Sequence, residues 1–274
     1  MIVGGRTVPE TARGPVRRAT VALTTGSRLV AGGSFCTAVV VASEVLLTAA
    51  HCVIGEGSAS PFVDGEPIVA SFDTKVGEGA SGTREVVAVA VHEGYRAGSI
   101  GAAGDGPYDD LALVRLASAV PETASTVELP VTTTSLAEGD ELTLAGYGVT
   151  RTRAADNTGR LRQVKARVRL VDRRHRMLIV RGTPLGGARV GMFRGSCAGD
   201  SGGPAFRDKR VVGILSYGYE AALAPGRAAV CVGDNGYTDL RRYADALRIA
   251  TEALGGRAGR ERQAWRFDSA GRLR

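Results

Sequence analysis

Ser201 sits in Gly199-Asp200-Ser201-Gly202-Gly203-Pro204, between residues too small to cover its hydroxyl. Glycines there allow backbone angles that aim successive N–H groups at one point. Those are the local means for a nucleophile beside an oxyanion site. The same hexapeptide also reads as a Gly-rich turn carrying an N-cap Ser or Asp. A serine hydroxyl is a weak nucleophile near neutral pH, so the first reading needs a base and an acceptor that orients it. Only three histidines are available. His175 lies in Asp172-Arg173-Arg174-His175-Arg176, where an imidazolium would be crowded by cations. His92 ends a strand-like run before Glu93-Gly94-Tyr95. His51 follows an apolar run and small residues and precedes Cys52, so it is the preferred base. Among the acids, Asp110 leads straight into Leu111-Ala112-Leu113-Val114 and is better placed than Asp109 to be desolvated.

The elements that must position these side chains are mostly strands. Val39-Val40-Val41 and Val45-Leu46-Leu47 predict a hairpin that delivers His51. Residues 85–92 alternate toward a further strand, and Asp110 opens another. Strands are expected near 140–149, 161–171, 176–181 and 211–217, with Val230–Thr238 returning to the sheet. Residues 55–83 are expected to be loop with a short strand near Ile68–Phe72, and 96–107, 151–160 and 218–228 to be loops. Leu240, Tyr243, Leu247, Ala250 and Leu254 form one apolar stripe, so 239–254 predicts a helix ended by Gly255-Gly256. The expected fold is all-β, with a barrel or sandwich core and one terminal helix.

Bulk properties narrow the class further. With 274 residues and 44% hydrophobic content, the chain can bury a substantial core as one large or two small domains. The formal charge is +7, but residues 255–274 carry +4 of it, and the mild remainder gives no case for nucleic-acid binding. No apolar run approaches the ~18–20 residues that span a bilayer. The opening residues carry no basic segment followed by an apolar one. Cys36, Cys52, Cys197 and Cys231 form no Cys-x-x-Cys pair. Their spacing fits either two disulfides or four buried thiols. Residues 257–274 are Arg-rich, carry the single Trp265 and show no periodicity; a mobile tail is expected, with contact to a polyanion as one use for it.

Four motifs then carry a resemblance. Ile2-Val3-Gly4-Gly5, Leu47-Thr48-Ala49-Ala50-His51-Cys52, Asp110-Leu111-Ala112-Leu113 and Gly199–Pro204 occur in the order of a trypsin-like, chymotrypsin-fold serine protease. His92-Glu93-Gly94-Tyr95, Gly146-Tyr147-Gly148, Ser216-Tyr217-Gly218 and Tyr237-Thr238 also match, so the resemblance covers residues 2–254. It implies two antiparallel six-stranded Greek-key β-barrels, about 15–120 and about 121–238, followed by the C-terminal α-helix. The implied catalytic residues are His51, Asp110 and Ser201, with the N–H groups of Gly199 and Ser201 as oxyanion hole and Ser216 donating to Asp110. Implied disulfides are Cys36–Cys52 and Cys197–Cys231, in a secreted or periplasmic monomer acting on protein or peptide substrates without a cofactor or metal. A freed Ile2 amine would pair with Asp200; Met1, if retained, displaces it and implies a zymogen-like chain.

Departures from the family bear on specificity. Gly195 stands at the pocket floor, where trypsin-type members carry Asp. With Ser196, Ser216 and Gly218 it predicts an open pocket for an apolar or aromatic residue, unless Asp234 enters it. Tyr147 and Tyr217 replace residues that are usually Trp. Only Glu56, Asp64 and Glu66 offer carboxylates for a calcium ion in the 55–67 segment, and no such site is expected. The alternative function is a catalytically silent homologue acting as a binding protein.

Overall fold

Runs of Val, Leu and Ala broken by tight turns give twelve principal strands, which close into two barrels in the computed structural model. It describes residues 2–55, 58–78, 82–98, 108–149, 159–185, 193–221, 230–256 and 263–274, without the side chains of 55, 219–221 and 230–232. The first barrel contains β1 (Thr20–Thr25), β2 (Cys36–Ala42), β3 (Val45–Thr48), β4 (Glu66–Ser71), β5 (Thr83–His92) and β6 (Ala112–Leu116). The second contains β7 (Glu141–Gly146), β8 (Arg162–Asp172), β9 (Met177–Gly182), β10 (Pro204–Arg207), β11 (Arg210–Ala221) and β12 (Val230–Asp239). All pairings within the barrels are antiparallel.

The first barrel runs β5-β6-β3-β2-β1-β4, and β4 pairs back onto β5. The second runs β8-β7-β10-β11-β12-β9, and β9 pairs back onto β8. The circular order is therefore the same in both. Closure leaves the principal strands few bare edges and gives each barrel an apolar interior. Leu23, Val39, Leu46, Leu113 and Val114 are fully buried in the first core; Ile2, Leu142, Leu144, Leu178 and Val180 in the second. Burying each such side chain contributes about 1.5–3 kcal/mol.

The terminal helix, α1 (Ala244–Gly255), buries the expected stripe at Leu247, Ala250 and Leu254 against the first barrel. It starts later than expected. Asp239 is still paired with Gly213 in the sheet and accepts from the Arg241 N–H, capping a 3-10 turn, Leu240–Arg242. Residues 55–67 are not all loop. Asp64 and Gly65 both have positive φ, as a two-residue hairpin turn requires, and pair Phe62–Val63 with the start of β4. Strand β11 likewise extends to Ala221, into the expected 218–228 loop. Most of the predicted loops 96–107 and 151–160 lies outside the described residues.

The largest correction concerns the carboxyl terminus. Residues 263–274 are not a free tail: β13 (Gln263–Phe267) adds in parallel to β5, from Gln263↔Ala88 to Phe267↔His92. Trp265 and Phe267 alternate toward the first core while Ala264 and Arg266 face solvent. Two of the expected free cations, Arg272 and Arg274, are engaged by the buried Asp268 carboxylate. Four backbone and side-chain donors hold the Asp268 carboxyl down at about 2, the Arg272 N–H first among them, although burial opposes them.

Candidate active site

His51 occupies a 3-10 turn, Ala50–Cys52, directly after β3. A Cys36–Cys52 disulfide ties that turn to the first residue of β2. Asp110 is 1% exposed and stands just before β6. It follows Asp109, whose φ of +50° makes the turn between the barrel strand and the preceding loop. The Asp109 carboxylate is held by the Tyr243 hydroxyl and by Arg176 Nη1 at 3.0 Å.

Three donors converge on Asp110. His51 N–H donates to Oδ1 at 3.0 Å, and His51 Nδ1 lies 2.8 Å from Oδ2. The Ser216 hydroxyl donates to the same Oδ2 at 2.6 Å. A carboxylate in this setting accepts from Nδ1–H, so the other ring nitrogen, Nε2, is left as the basic one. Burial works against the His51 cation, but the charge and hydrogen bond of Asp110 outweigh it and raise the imidazole pKa above its ordinary 6.5.

Ser201 is fixed by its backbone. Its carbonyl accepts from Thr37 N–H at 2.7 Å, and Gly202 N–H donates to Leu215 O at 2.8 Å. Gly202 has φ +76°, and a Cβ there would lie 2.1 Å from Thr48 Oγ1, so no larger residue fits this turn. The N–H groups of Asp200, Gly202 and Gly203 all donate within the protein. Among the described residues, those of Gly199 and Ser201 do not, which leaves them able to receive a ligand oxygen. Ser201 Oγ is not hydrogen-bonded to His51; such contacts are often long in unliganded sites. Cys36, His51 and Cys52 cluster closely, but the disulfide takes both sulfurs from any metal.

Ile2 is fully buried in the second core, and Val3 exchanges hydrogen bonds of 2.7 and 3.2 Å with Gly195. The amino-terminal segment is thus docked beside the serine loop. Asp200, also fully buried, accepts from Gly148 N–H at 2.8 Å and Cys197 N–H at 2.9 Å. Burial pushes its carboxyl up, while these N–H groups oppose the shift. Met1 lies outside the described residues. Cys197 is disulfide-bonded; the side chain of its expected partner, Cys231, is not described.

At the expected pocket, Ser196 is 3% exposed and its hydroxyl lies 2.7 Å from Tyr237 OH. Asn235 brackets Ser196: Oδ1 accepts from Ser196 N–H at 3.1 Å, and Nδ2 donates to Ser196 O at 3.4 Å. A Cβ at Gly195 would stand 2.5 Å from Asn235 Oδ1, so a larger residue there would displace the Asn235 amide. The same amide is 3.1 Å from a Cβ built on Gly218. Asp234 instead pairs bidentately with Arg181, at 2.5 and 2.8 Å, and Arg181 stacks over Phe193. Asn235 was not among the sequence candidates. Strand alternation counted back from Tyr237 would have put it, and not Asp234, on the Ser196 side.

The other two histidines lie elsewhere. His175 is bonded to Asp172 at 2.6 Å, and His92 is buried between the rings of Tyr243 and Phe267. In the 55–67 segment, Asp64 pairs with Arg28 and Glu66 accepts from Ser27, while Glu56 lies outside the described residues.

Comparison with known proteins identifies the family and the fold. A family model described as Trypsin matches residues 2–238. Trypsin alpha-4 of Lucilia cuprina is 28% identical over 213 residues, spanning 70% of this chain and 71% of that protein. Serine protease SP24D of Anopheles gambiae is 30% identical over 199 residues, spanning 72% of this chain and 65% of that one. A solved structure titled human heparin binding protein shares the fold, with a TM-score of 0.68 at 19% identity over 94% of this chain and all of that one.

Proposed function

The chain belongs to the trypsin family of serine proteases, and on that premise we propose that it is an endopeptidase acting through an acyl-enzyme on Ser201. Ser201 Oγ attacks the scissile carbonyl carbon while His51 Nε2 takes its proton. The Gly199 and Ser201 N–H groups hold the resulting oxyanion, an effect worth roughly 3–4 kcal/mol per donor. His51 then hands the proton to the leaving amine, and the C–N bond breaks. Water attacks the ester with His51 again as base, which frees the acid product and restores Ser201. Asp110 holds the ring's orientation and tautomer and stabilises the imidazolium.

The observation that carries this reading is the bonded state of Asp110. Its three donors, two from His51 and one from Ser216, leave the imidazole with only Nε2 to receive a proton. An ester substrate is therefore expected to give a pre-steady-state burst of leaving group, stoichiometric with enzyme. A folded enzyme that turns over without a burst, under conditions where deacylation limits, contradicts the acyl-enzyme.

A second reading is a catalytically silent binding protein, suggested by the solved relative whose title names heparin. The presence of Ser201, His51 and Asp110 together counts against it, and the same burst separates the two.

The pocket favours an uncharged residue before the scissile bond. Its base presents Gly195 and Asn235, and the nearest carboxylate, Asp234, is already neutralised by Arg181. An arginine or lysine buried there would lack a counter-charge, which is costly. Amides of Phe or Ala are expected to exceed the Arg amide in kcat/KM by about 100-fold or more. An Arg preference would overturn this assignment.

The working form is proposed to begin at Ile2, with its ammonium on Asp200. Burial of Ile2 and of the Asp200 carboxylate supports that pairing. Amino-terminal sequencing of active enzyme should read Ile-Val-Gly-Gly; full activity with Met1 retained would refute it. Secretion, or export to a periplasm, fits the Cys36–Cys52 disulfide.

A further inference from the structure

The carboxy-terminal strand lies beyond residue 238, where the family match ends. It fills a place the barrel leaves open. β4 pairs with β5 only at residues 83–85, while β6 takes the other side of β5 along its length. The edge at residues 88–92 would otherwise be bare, and β13 covers it. Glu93 N–H donates to Phe267 O at 2.8 Å, so the contact reaches into the loop that leads to Asp110.

From Phe267 a continuous set of packed groups reaches the catalytic carboxylate. The Phe267 ring is fully buried and meets His92 edge-on, with centroids 5.1 Å apart. His92 meets Tyr243 in the same way at 5.4 Å. Its Nδ1 accepts from Gly94 N–H at 3.1 Å, which fixes the ring plane. The Tyr243 hydroxyl donates to Asp109, the residue held at φ +50° immediately before Asp110. A left-handed non-glycine residue costs energy and persists only when its surroundings hold it.

We propose that Phe267, carried on β13, is a positioning residue for Asp110, acting through His92, Tyr243 and the Asp109 turn. This rests on Asp110 being the acid that orients His51. Loss of the Phe267 ring frees His92 to tilt, slackens the Tyr243–Asp109 contact, and lets the Asp110 carboxylate drift from His51 Nδ1. Substrate binding, which uses the other barrel's pocket, is left alone. The strand therefore governs turnover more than affinity.

The test uses the full chain with Phe267→Ala and Phe267→Leu beside wild type. Active-site-titrated kcat and KM are measured, together with the proton NMR resonance of His51 Nδ1–H. For Phe267→Ala, kcat should fall about tenfold with KM within about twofold. The Nδ1–H resonance should move or broaden. Phe267→Leu, which keeps the apolar bulk, should recover kcat to within about threefold of wild type. Wild-type kcat and resonance in a folded Phe267→Ala chain, even one that melts earlier, would overturn the proposal and leave β13 as a staple only. Should Phe267→Ala not fold, Phe267→Val, which removes the ring but keeps a strand-forming side chain, takes its place: a lowered kcat with a moved resonance supports the proposal, and wild-type values of both overturn it. The resonance reports the hold of Asp110 on His51 whether or not the chain turns over substrate. Failure of the protease reading is therefore seen separately, as a wild type with an intact resonance and no activity.

Discussion

Replacing Ser201 by alanine is expected to lower kcat by about 10⁵–10⁶-fold while moving KM only a few-fold. The substitution removes the atom that forms the ester, so no covalent route remains. What survives is catalysis by the two free N–H groups and by substrate binding, which is roughly 10³–10⁴ over water. His51→Ala should cost nearly as much, and the double variant little more than either, because nucleophile and base act as one unit. The fold should tolerate the change, since Ser201 is anchored through its carbonyl to Thr37 N–H and its neighbour through Leu215, neither of which involves Oγ. Steady-state kinetics with unchanged circular dichroism would check this. A loss below about tenfold would remove Ser201 from the chemistry.

Asp110→Asn should reduce kcat by about 10⁴-fold, the loss the same substitution causes in the trypsin-type triad itself. The cause can be read from the donors. Oδ2 receives both His51 Nδ1–H and the Ser216 hydroxyl, and Oδ1 receives the His51 backbone N–H. An asparagine offers one oxygen and one NH₂ group to a site built for acceptors alone. If its NH₂ faces the ring, His51 must present Nδ1 as acceptor and carry its proton on Nε2, where it blocks transfer from Ser201. The pH profile provides an independent check. In wild type the acid limb should lie above the ordinary imidazole value, because Asp110 raises the His51 pKa. Activity needs the unprotonated ring, so it rises as pH passes upward through that pKa. Removing the anion lowers the pKa, and the limb should move to lower pH as the plateau falls. An unmoved limb would mean that Asp110 does not set the base.

The side chains proposed as catalytic could be picked out because chemistry left few candidates. Three histidines, one acidic pair entering an apolar strand and one Gly-flanked serine nearly define the combination. The apolar stripe from Leu240 to Leu254 likewise announced the packing helix. Other features depend on register and long-range contact, which local pattern does not carry. Asn235 and Asp234 are adjacent in sequence, and only the pairing of β12 decides which one meets Ser196. Strand β13 shows alternation at just Gln263, Trp265 and Phe267, and its arginines resembled a solvated tail until the buried Asp268 supplied their partner. The positive φ of Asp109 has no sequence signal comparable to an Asp-Gly turn; the surrounding Tyr243 and Arg176 impose it.

The most direct measurement of the central claim is covalent labelling with a fluorophosphonate, followed by peptide mass spectrometry. The reagent reports a serine activated by a neighbouring base beside an oxyanion site. The predicted result for the folded chain beginning at Ile2 is one adduct, on Ser201, absent from Ser201→Ala and strongly slowed in His51→Ala. A folded chain that takes no adduct, or takes it at another residue, would contradict the assignment of Ser201, His51 and Asp110 as a catalytic unit.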